Sequence, residues 1–540
     1  MKREKKIFYY VCFLFVFSML SGCISRNVDT KPNVNKSLQM GEPIVGGELR
    51  IPVTQLDMLN PIINDNKSVY YLNKLIYDGL IRLDEKLFPQ PALAKKWNVS
   101  ENGKEWTFQL RDDVRWHDGK LFSAEDVKFT IDTLKMDTQG KKSIFSVYVK
   151  HIKNIKIINS HKISIEFDEA IDSSVEMFTF PIIPKHQFLN SKAVYDAVNI
   201  VPIGTGPYKV DLYDKFKTIK LVVNDDYWGD KPYITSILAK RVPDKEAALT
   251  SVEANEVDIA EATNFDWEKY SEDKSLKIYE YVTQYFEFLA FNFNKDILND
   301  ENIRKALAYS IDRHKIVDEV YLGHATIVDV PIYPEAYFYC EEEKKYGKDL
   351  LLAKKLLAES SWENRDNDKW LENESGKELR LRLLVNNDNP QRVKTAKFIA
   401  SQLSEIGIDV VINKVDWEEY KKKILANKFD LVLGGWKLSN AFNLRFALHS
   451  EYIGNTNFIG YKNPNMDKLL DEVLVTKNIS VKKEKYKQIQ NLFVNDLPYF
   501  GLYFKNRSII VKKHVKGDIM PVPFNIFNSI EKWYIGDNPK

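Results

Sequence analysis

Between positions 379 and 436 the apolar residues recur with two alternating periods. Leu379, Leu381, Leu383 and Val385 stand at every second position, the spacing of a strand with one buried face. Val393, Ala396, Ala400 and Leu403 then follow at helical spacing, and Gly407 offers a stop. "IDVVI" is a second strand, "WEEYKKKILAN" a short helix with Trp417, Tyr420 and Ile424 in line, and "FDLVLGGW" a third strand. Strand–helix alternation of this kind predicts parallel strands joined by right-handed crossovers. Ligands of such sheets bind beyond the carboxyl ends of the strands. The stretch "GGWKLSNAF" (434–442) lies at that end of the last strand.

The same patterns divide the rest of the chain. "GGELRI" (46–51) predicts an early strand. "WTFQL" alternates Trp106, Phe108 and Leu110 toward one face. Ser123, three residues before Asp126, has capping-box spacing and opens a helix whose buried face carries Val127, Ile131 and Leu134. "IKNIKIINSHKISIEFD" predicts a hairpin around an Asn-Ser turn, with Ile155 and Ile157 on one arm and Ile163, Ile165 and Phe167 on the other. Positions 302–323 predict one helix, with Ile303, Ala306, Leu307, Ile311 and a packed His314 along its stripe and Gly323 at its end. Residues 24–45 are polar and aperiodic and predict a flexible tether.

A chain of 540 residues exceeds what one core usually supports, so two or three lobes are expected. Aromatic residues are 13% of the chain, which suits either large cores or a broad concave site. The formal charge of +2 includes Lys2, Arg3, Lys5 and Lys6 near the start, so the body is close to neutral and gives no case for nucleic acid. That start reads as an address: basic residues, an apolar run over 7–20, then "LSGC". It resembles a bacterial lipobox, which implies a signal peptide over 1–22 and a lipid-modified Cys23. An uncleaved short anchor is the alternative. Cys12 lies in the leader, so Cys23 and Cys340 leave no internal disulfide in the mature chain.

Catalytic motifs give no positive signal. The sequence has no P-loop, no H-E-x-x-H and no G-x-S-x-G. "GTGPYKV" (204–210) lacks a third glycine at dinucleotide spacing and predicts a turn entering a strand. Glu166 and Asp168 fall on the outward face of a strand, as a solvated pair does. His117 and Asp118 are turn neighbours, which seldom face each other. No metal, cofactor or covalent chemistry is expected.

The stretch "PALAKKWNVSENGKEWTFQLRDDVRWHDGKLFSAEDVKFTID" (91–132) resembles the large extracytoplasmic solute-binding proteins of bacterial ABC importers, family 5, the oligopeptide, dipeptide and nickel group. "GTGPY", "NDDYWGDKPYI", "IRKALAYSIDRHKIV" and "AKKLLAES" follow in the family's order. The resemblance implies an α/β, two-lobed fold of the periplasmic-binding-protein type II kind. Lobe I would comprise 46–85, 200–290 and 505–540, with an inserted subdomain over 86–199, and lobe II would be 291–504. Two chain crossings would form a hinge, and the lobes would close on cargo. It further implies an oligopeptide ligand, an ABC permease with a separate ATPase subunit, a lipid-anchored monomer at the outer face of the cytoplasmic membrane, and no enzyme activity.

Family members bind the peptide main chain just after "G-W" and usually place an Asp a few residues on, against the peptide's ammonium. Here Lys437, Ser439, Asn440 and Arg445 follow Trp436, and the next acid is Glu451. An enclosed ammonium without its carboxylate costs about 3–5 kcal/mol, or about 100-fold or more in affinity. Either another acid substitutes, or free-amine peptides are not the best cargo. Gly435, Trp436 and Asn440 are expected to bond or stack on the ligand backbone, and Lys437 is either a ligand contact or a solvated charge. Thr54 and Gln55, in "VTQLDMLNP", are the candidates on the first lobe. A nickel-complex or other small-solute binder, a peptide-sensing receptor and a secreted hydrolase are the alternatives to peptide import.

Overall fold

In the computed structural model the described residues are 43–136, 142–170, 174–341, 346–366, 368–440 and 442–536. The expected leader, Cys23 and all but the end of the expected tether lie outside them.

The alternating pattern that begins at position 379 folds as its spacing dictates. Arg380–Asn386 pairs in parallel with Asp409–Val415 on one side and with Leu431–Lys437 on the other, and Pro390–Ser404 and Trp417–Leu425 are the crossover helices. These three strands extend a mixed sheet of seven strands. Its spine is a pair of long antiparallel strands, Leu276–Phe291 and Tyr499–Lys512. A second sheet of four strands contains Glu48–Val53, paired in parallel with Ser236–Arg241. A third contains Glu105–Leu110 beside the hairpin Ile152–Asn159 and Lys162–Phe167.

The hydrophobic core changes hands along the two long strands. Phe286, Phe288 and Leu289, with Phe500, Leu502 and Phe504 opposite, pack into one core with the 303–497 elements. Tyr281, Ile509 and Val511 pack into another with the 49–237 elements. Between them both strands turn polar, as Thr283-Gln284-Tyr285 and Lys505-Asn506-Arg507-Ser508. The ladder slips register here, between Val282 and Phe286. The Thr283 hydroxyl donates to the Lys505 carbonyl at 2.7 Å, and the Asn506 amide donates to Glu280 at 2.7 Å. This seam is a hydrogen-bonded break between two apolar bodies.

The local signals mostly hold. The Ser123 capping box forms, with the Asp126 carboxylate accepting from the Ser123 N–H at 3.0 Å. Gly204 and Gly206 enter the strand Tyr208–Asp214 against the Ile76 carbonyl, where an added Cβ would stand 1.8 and 2.7 Å from its oxygen. The single helix expected over 302–323 is two, Glu301–Ser310 and Arg313–Tyr321. Ile311 is extended, and the Asp312 side chain accepts from the Lys315 N–H, capping a new helix. The turn of phase rotates His314 off the stripe, and it is exposed rather than packed.

Candidate functional site

Two adjoining cavities open along the helix Lys67–Ile76, one of them at the seam. The larger, about 440 Å³, is lined by residues of the helix Lys67–Ile76, the loop after it, and the segment 522–532. The other, about 370 Å³, is lined by Thr283, Gln284 and Tyr285 of the seam, Arg507, the start of the same helix, and Lys437, Leu438 and Ser439. Tyr70, Phe145, Tyr148 and Phe524 line both, so the two are chambers of one cleft. Each is of a size that takes a small ligand.

The chambers differ in charge. Acids lining the larger one are Asp78, Asp84, Glu85, Asp230 and Glu531, against Lys74, Arg82 and Lys532. Burial raises the Asp78 carboxyl despite hydrogen bonds from Trp228 and Thr205, and burial pulls the Lys74 ammonium down to about 8. The seam chamber is lined by Lys67, Lys437 and Arg507 against Asp65 alone.

Glu261 stands behind that chamber. Its Oε1 accepts from Lys67 at 2.6 Å, Tyr281 at 2.6 Å and Arg507 at 3.3 Å. Burial disfavours its charge, but Lys67 and Arg507 overcome this and hold the carboxyl down at about 2. Burial pulls Lys67 down to about 8, only partly offset by Glu261.

The residues expected from sequence separate into those at the cleft and those that are not. Lys437 and Ser439 are exposed on the wall of the seam chamber. Asn440 lines the larger chamber, but its side chain is committed to protein: Nδ2 donates to the Glu176 carbonyl and the Thr179 hydroxyl, both at 3.0 Å, and Oδ1 accepts from Tyr148 at 3.1 Å. It ties the 437–440 loop to the segment Val175–Thr179, and both polar atoms of its side chain are engaged. Trp436 lies in an aromatic cluster, its ring 4.4 Å from Phe288 and 4.7 Å from Tyr499, so its stacking partners are internal. Gly435 is required for close approach, because a Cβ there would meet Arg392 and Glu287 at 2.7 and 2.8 Å. Arg445 is buried and paired with Glu451 and Asp471, both at 2.8 Å, which accounts for its charge without a ligand. Thr54 bonds to Ser68 and Asn66 and lines a smaller cavity of about 130 Å³, which shares Lys67 and Tyr71 with the seam chamber. Gln55 accepts from Asn64 at 3.4 Å.

Past Val432 the strand Leu431–Lys437 keeps its pairing with the first long strand only; the parallel neighbour covers Leu431 and Val432. Lys67, Tyr148, Glu261 and Arg507 were missed by sequence reasoning. Only Lys67 had a local signal, following the helix cap Asn66.

Among the described residues no group of three or more His, Cys, Asp and Glu gathers to hold a metal ion, and no helix is long and apolar enough to cross a membrane. His117 and Asp118 do not pair. His117 Nε2 lies 3.1 Å from the Gly206 carbonyl, and Asp118 faces His186 at 2.8 Å.

Residues 89–450 match the family described as bacterial extracellular solute-binding proteins, family 5 Middle. The oligopeptide-binding protein AppA of Bacillus subtilis is 27% identical, over 99% of this chain and all of that one. The dipeptide-binding protein of Escherichia coli is 26% identical, over 80% of this chain and 83% of its own. The solved structure of HbpA2 from Haemophilus parasuis has the same mixed α/β fold, with a TM-score of 0.79 at 20% identity, covering 91% of this chain and all of that one. With two thirds of its length inside the family match, the chain belongs to the bacterial extracellular solute-binding proteins of family 5.

Proposed function

We propose that this protein is the extracytoplasmic receptor of an ABC importer, which captures oligopeptides between two lobes and hands them to a permease driven by a separate ATPase subunit. The observation that carries this reading is the polar seam: two chain crossings, at 283–285 and 505–508, join two cores, and the cleft opens beside them. Slipped, polar strand segments with few apolar contacts are where a sheet bends at least cost, as a hinge does. Cargo touching both bodies favours the closed form by its additional contacts there.

A peptide suits the cleft. It is roomy and aromatic-walled, and the strand Leu431–Lys437 ends at its wall in Lys437, Leu438 and Ser439. The names of two relatives, an oligopeptide-binding and a dipeptide-binding protein, support the same class. In this reading lobe I is 46–85, 200–290 and 505–540 with its insert over 86–199, and lobe II is 291–504. The lipid on Cys23 and the tether hold a monomer at the outer face of the cytoplasmic membrane. No bond is made or broken in the cleft.

Native mass spectrometry of the protein purified intact from its own cells tests this. Heterogeneous added masses that fragment as unmodified peptides are expected. A single non-peptide mass, or cleavage of added peptides, would contradict it.

A further inference from the structure

We infer that the seam chamber is a carboxylate anchor, in which Lys67 and Arg507, with Lys437 on the facing wall, grip an anionic end of the peptide. The inference rests on the oligopeptide reading and names the group that orients the cargo.

Lys67 and Arg507 both turn to one oxygen of one carboxylate, that of Glu261, which leaves the group with one positive charge in excess. Lys437 adds a second, and among the described residues no hydrogen bond or ion pair engages its ammonium. Asp65, exposed at the same wall, is the one acid opposing them. Half-buried positive charge in excess of its partners is unfavourable in the empty cleft and becomes favourable when an anion enters.

Donor geometry agrees. A guanidinium has five N–H donors. Among the described residues that of Arg507 gives one hydrogen bond, at 3.3 Å to Glu261, and its Cζ lies 5.7 Å from the centre of the Tyr285 ring at the chamber wall. The remaining donors suit a planar carboxylate, which Arg binds bidentately. Lys67 gives one bond, to Glu261. The depressed Lys67 pKa agrees with a cation short of counter-charge: burial lowers it, Glu261 raises it, and Arg507 and Lys245 lower it further, with the Tyr71 ring 5.2 Å away.

The absence of an acid between Trp436 and Glu451 acquires a reason in this arrangement. The position that would hold an ammonium is occupied by the Lys437–Ser439 wall of a cationic chamber.

Calorimetric titration of the full-length protein with matched pools of synthetic oligopeptides tests the inference. One pool ends in a free carboxylate and one in a carboxamide; a third keeps the free terminus but has Gln and Asn in place of Glu and Asp. Amidation is expected to weaken binding about tenfold or more, and Lys67→Met to remove most of that difference while melting normally. Should the third pool, and not the amide, bind weakly, the gripped carboxylate belongs to side chains, and the end anchor is overturned. Tight binding indifferent to both changes overturns the anchor and leaves the oligopeptide reading intact. Failure of every pool to bind overturns both. If Lys67→Met does not fold, the wild-type comparison of pools decides alone.

Discussion

Glu287, buried, and Glu261, largely buried, are two carboxylates on opposite sides of the seam, and each takes a cation from the second long strand. Lys505 reaches Glu287 at 2.8 Å and Arg507 reaches Glu261 at 3.3 Å. Each also takes a second cation from a helix, Arg392 at 2.7 Å and Lys67 at 2.6 Å. The chemistry is nearly the same, yet the surroundings differ. Every guanidinium nitrogen of Arg392 is engaged: Nε and Nη2 bond to Glu287 and Nη1 to Asn386. Burial opposes its charge, and the Glu287 carboxylate more than compensates, so its pKa is raised. Neither Arg392 nor Glu287 lines the cleft chambers. Lys67 and Arg507 line one and keep donors unused. A closed ion cluster stabilises one body, whereas an open one is a place for a ligand.

The sharpest break in the symmetry is stability. Glu287→Ala leaves Arg392 and Lys505 without their carboxylate in a buried site and is expected to cost about 3–5 kcal/mol. Lys67→Met, at a side chain 38% exposed, is expected to stay within about 1 kcal/mol. Urea unfolding of the two variants measures both. Gly435→Ala forces a methyl against the Arg392–Glu287 pair and is expected to cost about 1–3 kcal/mol. The analogous crowding does not exist at Glu261.

Asn440→Ala is next in size. It strands the Tyr148 hydroxyl and removes two bonds to the Glu176–Thr179 segment, and a loss of about 1–3 kcal/mol is expected in the same unfolding assay. Ligand affinity should change too, because the tie between the 437–440 loop and the Glu176 segment is lost.

Proton linkage separates the two clusters further. Lys67 sits below its ordinary value, at about 8. Its charge is therefore present below that pH and lost as pH rises through it. Affinity for a free-carboxylate peptide is expected to fall across that range by up to about tenfold, while Arg507 keeps its charge. A bound carboxylate raises the Lys67 pKa, so the loss in the complex is centred somewhat higher. An amidated peptide should show almost no such slope. The smallest effect is expected from N-acetylation, since the seam chamber offers an ammonium Asp65 alone. A loss comparable to that from amidation would show that the acid-rich larger chamber anchors the other terminus.

The difference between the clusters also marks what the sequence discloses. Periodicity specifies elements whose partners are close in the chain. The 379–437 strands and helices, the Ser123 cap and the 152–167 hairpin were all legible for that reason. Asp312 was legible in principle, as a capping residue three before Lys315, yet the unbroken apolar spacing around it masked the helix break. The site is different. Lys67, Glu261 and Arg507 are brought together from three distant segments, and no local spacing links them. Asn440 and Arg445 have ligand-like chemistry, but their partners are Glu176 and Thr179 in one case and Glu451 and Asp471 in the other. A polar side chain beside a binding loop is as readily consumed by the fold as presented to cargo, and only the contacts decide which.

Small-angle X-ray scattering of the full-length protein, with and without a saturating pool of free-carboxylate peptides, tests the central claim most directly. A clamp hinged at the seam predicts a smaller radius of gyration on peptide addition and a return to the original value when the peptide is removed. An identical scattering profile in both states, with binding verified in the same sample, would contradict it.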